Sequence, residues 1–173
     1  MKKIIILMLA VVMAGTVAAC GMGDVGSTST GSASQAVSSQ AAPSKPSSDS
    51  YDDSLAGLEK YLAANTVITG NPTEMQSDFI GAKSGAKYQT SFNGKDNVTV
   101  ELYEFDTNSL SDTAKTVMAS VKKDGTYTIM GKQVSAVLSN SGKYLMIYKD
   151  TATADQNKAH QTDVTKLFQE FKS

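Results

Sequence analysis

The chain is poor in the residue types on which many protein chemistries depend. Its 173 residues include one cysteine, one histidine, no tryptophan and no arginine. A single cysteine cannot form an internal disulfide or a cysteine-based zinc site, and one imidazole is too few for a histidine-based metal site. The sequence therefore predicts no metal, no cofactor and a fold that depends on its hydrophobic core.

The lack of arginine also bears on the partners. All 16 basic residues are lysines, and they stand against 17 acidic residues, which gives a formal charge of −1. The planar guanidinium of arginine is the usual group for bidentate recognition of phosphate and guanine. A nucleic-acid-binding domain also normally carries a net positive surface. We therefore expect no nucleic-acid partner.

The N-terminus has the pattern of a signal peptide. Lys2 and Lys3 precede an apolar run over residues 4–14. This run is far shorter than the roughly 20 residues that a helix needs to cross a bilayer. A short apolar run after basic residues is typical of a cleavable secretion signal. The sequence predicts a signal peptide over residues 1–19.

The only cysteine directly follows that segment. Cys20 is preceded by Val17, Ala18 and Ala19. These four residues resemble the lipobox of bacterial lipoproteins, in which an aliphatic residue and two small residues precede the modified cysteine. The resemblance covers residues 1–20 alone and says nothing about the domain that follows.

The resemblance implies a lipid anchor. In that family the cysteine thiol receives a diacylglyceryl group, and signal peptidase II recognises the residues before it, here Val17, Ala18 and Ala19. Cys20 would then be the acylated first residue of a chain held on the extracytoplasmic side of the cell membrane. A single acyl chain gives only marginal membrane binding, whereas two acyl chains together anchor a protein stably. The alternative is an ordinary signal peptide cut after Ala19, which would leave a free thiol.

A linker and one domain follow the cysteine. Residues 21–50 are rich in serine, glycine and alanine, and large apolar residues almost vanish. Such a composition cannot bury enough apolar surface to offset ordering, so we expect a flexible linker over residues 20–50. Removal of residues 1–19 takes two lysines and no acid from the totals, which leaves 14 lysines, 17 acids and a charge of −3.

Residues 51–173 are expected to form a single α+β domain. Four helices are predicted, beginning at Asp53 or Ser54, at the capping sequence Asn71-Pro72-Thr73-Glu74, at Asn108, Ser109 or Ser111, and near Ala154. Five strands are predicted over residues 87–92, 97–105, 126–130, 133–139 and 143–148, with Asn93-Gly94 as a hairpin turn. The order ααββαβββα and the short connections predict an antiparallel sheet with helices packed on one face.

The strand half of the domain offers a candidate contact surface. Tyr103, Tyr144, Met146 and Tyr148 lie on predicted strands. Tyrosine suits interfaces because it offers a large area and a polar tip. Tyrosine is also favoured in strands for its fit alone. Ordinary strand packing is therefore the favoured interpretation of these four side chains, and an exposed contact surface is the alternative.

Catalytic residue patterns are weak. Glu101, Glu104 and Asp106 form the best carboxylate cluster, and paired carboxylates are what glycoside hydrolysis needs. The alternative is that they are solvated charges at the end of a strand. His160 falls on the polar side of the last predicted helix, where a solvated histidine is expected. The domain also lacks the parts of a nucleophilic triad.

Taken together, the sequence predicts a membrane-anchored extracytoplasmic lipoprotein rather than an enzyme. Its domain is expected to be a small binding or accessory module of the cell envelope, with a protein or cell-wall partner in addition to the membrane lipid reached through Cys20. The alternative is an extracytoplasmic enzyme that uses carboxylates, such as a wall-polymer hydrolase. A concave pocket that unites Glu101 or Glu104 with other titratable groups would favour that alternative.

Overall fold

A computed structural model describes residues 45–173 of the chain. The predicted signal peptide, the lipobox with Cys20 and most of the predicted linker therefore lie outside the described residues. The described part begins with a short 3-10 turn at Ser48–Ser50, just before the domain boundary expected at residue 51. Tyr51 already packs edge-on against Tyr61, with ring centroids 5.7 Å apart.

Within residues 45–173 the chain forms three α-helices and seven strands. The helices are α1 (Leu55–Ala64), α2 (Asp112–Asp124) and α3 (Asp155–Gln169). The strands are β1 (Thr73–Glu74), β2 (Ser84–Thr90), β3 (Val98–Glu104), β4 (Thr126–Ile129), β5 (Lys132–Ser135), β6 (Val137–Leu138) and β7 (Tyr144–Asp150). A second 3-10 turn covers Asp78–Ile80.

Five of the strands form one antiparallel sheet in the order β1-β2-β3-β7-β6. The other two, β4 and β5, form a separate hairpin. The predicted α+β class and the antiparallel sheet of about five strands are confirmed. Strand β7 pairs with β3 although α2 and the β4–β5 hairpin come between them in the chain.

Both faces of the sheet are covered. Along β7, the side chains of Tyr144, Met146 and Tyr148 join a cluster with α1 and α3, while Leu145 and Ile147 join a second cluster with α2 and the hairpin. Successive side chains of a strand point to opposite faces, so α2 lies across the sheet from α1 and α3. The expectation that all helices pack on one face is wrong.

The helix predicted to begin at the capping sequence Asn71-Pro72-Thr73-Glu74 is also replaced by another structure. Thr73 and Glu74 pair with Lys87 and Ala86 of β2, and the chain then enters the turn at Asp78–Ile80. A good capping sequence is a weak local preference, whereas β2 offers a row of backbone groups to pair with. The tertiary pairing therefore outweighs the local helix signal.

Other local signals are confirmed. The Ser54 hydroxyl accepts a hydrogen bond from the Gly57 N–H at 3.1 Å, which starts α1. The Ser111 hydroxyl accepts from the Ala114 N–H at 3.1 Å, which starts α2. Gly125 ends α2 with a φ of 66°, the left-handed conformation that favours glycine.

The predicted hairpin between β2 and β3 is present, with a longer connection than Asn93-Gly94 alone. Strand β2 ends at Thr90 and β3 begins at Val98. Asn97 fixes the loop between them, because its Oδ1 accepts from the Phe92 N–H at 3.0 Å and its Nδ2 donates to the Phe92 carbonyl at 2.9 Å.

Two phenylalanines test where the core lies. Phe168 is 0 % exposed and Phe79 is 54 % exposed. We expect Phe168→Ala to lower the free energy of unfolding by about 3–5 kcal/mol, because it leaves a cavity between α3 and the sheet. The matched change Phe79→Ala should cost about 0.5 kcal/mol or less. Urea unfolding followed by circular dichroism measures both; equal losses would contradict this description of the core.

Candidate functional site

The structure buries the predicted contact surface. Tyr144 and Met146 are 0 % exposed, Tyr103 is 5 % exposed and Tyr148 is 8 % exposed. These side chains belong to the two core clusters and do not form an exposed surface. The sequence contained a sign of this, because Tyr144 to Tyr148 is a continuous apolar run, which indicates a strand buried on both faces.

The predicted carboxylate cluster is divided between two places. Glu101 and Glu104 are three residues apart on β3, so their side chains point to opposite faces of the sheet. The Tyr103 hydroxyl lies on the face of Glu101 and donates a hydrogen bond to it at 3.1 Å. Glu101 and Glu104 therefore do not form the facing pair of a glycoside hydrolase, and each lies in its own cleft.

The first cleft surrounds Glu104, has a volume of about 300 Å³ and is called the Glu104 cleft below. Its lining side chains come from Asp53, Lys83, Glu104, Phe105, Asp106, Thr107, Asn108 and Lys143. Glu104 is 7 % exposed, and its Oε2 accepts from the Leu55 N–H at 3.0 Å. A carboxylate at the first turn of a helix is favoured by the positive end of the helix dipole.

Two lysines complete the surroundings of Glu104. The Lys143 Nζ lies 3.5 Å from Glu104 Oε1, and the exposed Lys83 Nζ lies 3.9 Å from the same oxygen. A buried charge is tolerated when it is paired and hydrogen-bonded. Glu104 meets both conditions, and its carboxylate links the first turn of α1 to β3.

Asp53 extends the same network. The Tyr144 hydroxyl donates to Asp53 Oδ1 at 2.7 Å, and Lys143 Nζ lies 3.2 Å from Asp53 Oδ2. The hydrogen bond from Tyr144 is the main reason why the pKa of Asp53 is lowered. Burial, followed by the hydrogen bond to Asp53, raises the pKa of Tyr144 well above its usual range. The phenol therefore remains protonated and acts as a donor.

The second cleft lies on the opposite face of the sheet and is called the Tyr103 trough below. Its volume is about 210 Å³. The floor and walls are formed mainly by the side chains of Glu101, Tyr103, Ile147, Tyr127, Val134 and Phe79. Gly85 of β2 makes room for the floor, because a Cβ there would lie 2.8 Å from the Tyr103 ring. Burial, followed by the charge of Glu101, raises the pKa of Tyr103.

His160 is half-buried, so it is less solvated than predicted. Its ring stacks on the Phe92 ring with centroids 3.7 Å apart and an interplanar angle of 3°. Burial lowers the pKa of His160. Its neighbour on α3, Asn157, donates to the Phe92 carbonyl at 3.0 Å. This part of α3 holds the loop between β2 and β3.

Two further observations concern the described residues. No group of three or more histidine, cysteine, aspartate or glutamate side chains in residues 45–173 is arranged to hold a metal ion. In the same part of the chain, none of the helices is both long enough and apolar enough to cross a membrane.

The Tyr144–Asp53 hydrogen bond should make the free energy of unfolding depend on pH. We expect Tyr144→Phe to lower the free energy of unfolding by about 1 kcal/mol near neutral pH, a modest value because Asp53 is half exposed. The bond depresses the pKa of Asp53. Its contribution is therefore complete above the pKa of the unfolded chain and is lost as the pH falls through the lower folded pKa.

Urea titrations of both proteins between about pH 7 and about pH 2 measure this difference. The two stabilities should converge at the acid end. A difference that stays constant over this range would show that the hydroxyl does not act through the charge of Asp53.

Comparisons of this chain with protein-family models, with curated proteins and with solved structures give no match. The functional conclusion therefore depends on the residues of this chain alone.

Proposed function

We propose that the chain is a membrane-anchored extracytoplasmic lipoprotein whose domain acts as a small binding or accessory module of the cell envelope. The observation that carries the proposal is the stretch Val17-Ala18-Ala19-Cys20 after a short apolar run. The only cysteine of the chain falls at the one position where a thiol would be acylated. The cysteine has no alternative partner for a disulfide within the chain.

The two clefts support a binding role for the domain. In the Glu104 cleft the charged groups are bound to one another, through Lys143, Glu104 and Asp53. These groups hold strands and a helix together. The Tyr103 trough differs, because its wall residue Phe79 remains 54 % exposed. The trough and its rim are therefore the surface to which we assign the binding role.

Lipidation is tested at Cys20. Expression in a bacterium with a fatty acid that carries a chemical tag should label the chain and place it in the membrane fraction. Inhibition of signal peptidase II should accumulate the uncut precursor. Cys20→Ala should abolish the label, and the nearby change Ser27→Ala should leave it unchanged. Mass spectrometry of the N-terminal peptide identifies the acyl chains.

One outcome would refute the lipoprotein proposal directly. A mature chain that begins at Cys20 with a free thiol would show that an ordinary signal peptidase cuts after Ala19. The domain would then be released after export, and the membrane would not be its site of action.

The alternative function is a carboxylate-dependent enzyme, such as a hydrolase of wall polymers. It is favoured by the Glu104 cleft, which unites Glu104 with Asp53, Asp106 and two lysines in one concavity. It is opposed by the number of partners that already bind the Glu104 carboxylate.

Incubation of the purified chain with cell-wall polymer separates the two functions. An enzyme would release soluble fragments, and Glu104→Gln would abolish that release while the exposed control Asp112→Asn preserved it. A binding module would release no fragments in either form.

A further inference from the structure

Two large apolar side chains of the described residues are exposed: one lines the Tyr103 trough, and the other follows directly after a residue that lines it. Phe79 is 54 % exposed and lines one wall. Met130 is 83 % exposed and follows Ile129, which lines the other wall, at the tip of the β4–β5 hairpin. Both side chains are far more exposed than the apolar side chains of the two core clusters.

The backbone conformation of Met130 is unusual for a methionine. Met130 and Gly131 have φ values of 48° and 74°, so both lie in the left-handed region. Two-residue hairpin turns of this kind favour asparagine, aspartate or glycine at the first position, because a residue with a longer side chain is strained there. A methionine at this position brings conformational cost without burial in the described domain.

Three lysines lie on the same face as the trough or on the hairpin that borders it. Lys132 lies opposite Ile129 in the hairpin, so its side chain is on the same face as the trough wall. Lys149 lines the trough, and Lys87 lies opposite Glu101 on its floor. Of the ion pairs between described residues, none includes these three lysines. Glu101 is the one acid among the residues that line the trough, and it accepts a hydrogen bond from the Tyr103 hydroxyl at 3.1 Å; Glu74 and Asp78 precede the lining residues Met75 and Phe79 in the chain.

We propose that this patch, formed by Phe79, Met130, Lys87, Lys132 and Lys149, docks on the surface of an anionic membrane. The two apolar side chains enter the headgroup layer, and the lysine ammonium groups contact lipid phosphates. Apolar insertion combined with attraction to anionic lipid is the physical basis of peripheral membrane binding. Its three lysines supply positive charge, although the chain as a whole is acidic.

The membrane is favoured as the occupant because of the proposed anchor, on which this inference rests. Residues 21–44 separate Cys20 from the described domain, and a chain of that length reaches at most about 80 Å. A tether of this kind raises the effective concentration of membrane surface to the millimolar range. Even a weak docking surface would then be occupied for much of the time.

The test uses the mature chain with Cys20→Ser, so that no acyl chain contributes to binding. The chain is sedimented with vesicles at millimolar lipid, either of phosphatidylcholine alone or of phosphatidylcholine mixed with phosphatidylglycerol. We expect binding to the mixed vesicles that weakens as salt is added. The double change Phe79→Ser and Met130→Ser should weaken it by about tenfold or more.

A charge-matched pair of variants tests the position of the lysines. Lys132→Glu and Lys158→Glu change the net charge equally, and Lys158 lies exposed on α3, outside the patch. We expect only Lys132→Glu to reduce binding to the mixed vesicles. Circular dichroism of each variant checks that the fold is retained.

Absence of binding to either vesicle, or equal losses in the two lysine variants, would overturn the docking proposal and leave the patch to a protein partner. Because the tested chain has no lipid, such a failure would not affect the labelling result at Cys20. Conversely, failed labelling at Cys20 would remove the tether and leave the vesicle measurement intact.

Discussion

The pairing of β3 with β7 is the interaction on which the rest of the domain depends. The two strands are in register over seven residues, from Val98 with Asp150 to Glu104 with Tyr144. Strand β7 is buried at five consecutive positions, so its side chains fill clusters on both faces of the sheet. A sheet that is apolar on both faces needs two covering layers. Helices α1 and α3 supply one layer, and α2 with the β4–β5 hairpin supplies the other.

Charged groups bind to one another at the end of the β3–β7 pair where Glu104 lies opposite Tyr144. Glu104 accepts a hydrogen bond from the first turn of α1, while Tyr144 binds Asp53 just before that helix. Lys143 lies between the two carboxylates. Glu104, one of the three carboxylates that most resembled a catalytic cluster, thus helps to join α1 to the two central strands. The same residue types occur in active sites. Here their carboxylates are bound by neighbouring groups of the fold, so their role is structural.

The opposite face of the sheet is covered less completely beside Phe79. The α2 and hairpin layer covers Leu145 and Ile147 but leaves the Tyr103 trough open beside Phe79. Exposed apolar residues at the rim of a cleft mark interaction surfaces more often than isolated ones do. The open trough, in contrast to the paired charges of the Glu104 cleft, is the reason why we assign the proposed binding role to this face of the sheet.

Much of the local structure could be predicted from the sequence. The caps at Ser54 and Ser111 and the stop at Gly125 depend on residues within one helical turn, and the hairpin before β3 depends on a short loop. The α+β class follows from the order of such elements. The lipobox prediction likewise depends on four consecutive residues. Signals of this range need no knowledge of the fold.

The site could not be predicted in the same way. The period of a strand is enough to separate Glu101 from Glu104, but only the packing of layers shows that Tyr103 is buried and Phe79 exposed. Likewise, Thr73 and Glu74 carry a helix-capping pattern, and pairing with β2 makes them a strand. The sequence by itself determined the local elements, because their hydrogen bonds join near neighbours. Tertiary structure decided burial and clefts, because these arise from residues far apart in the chain.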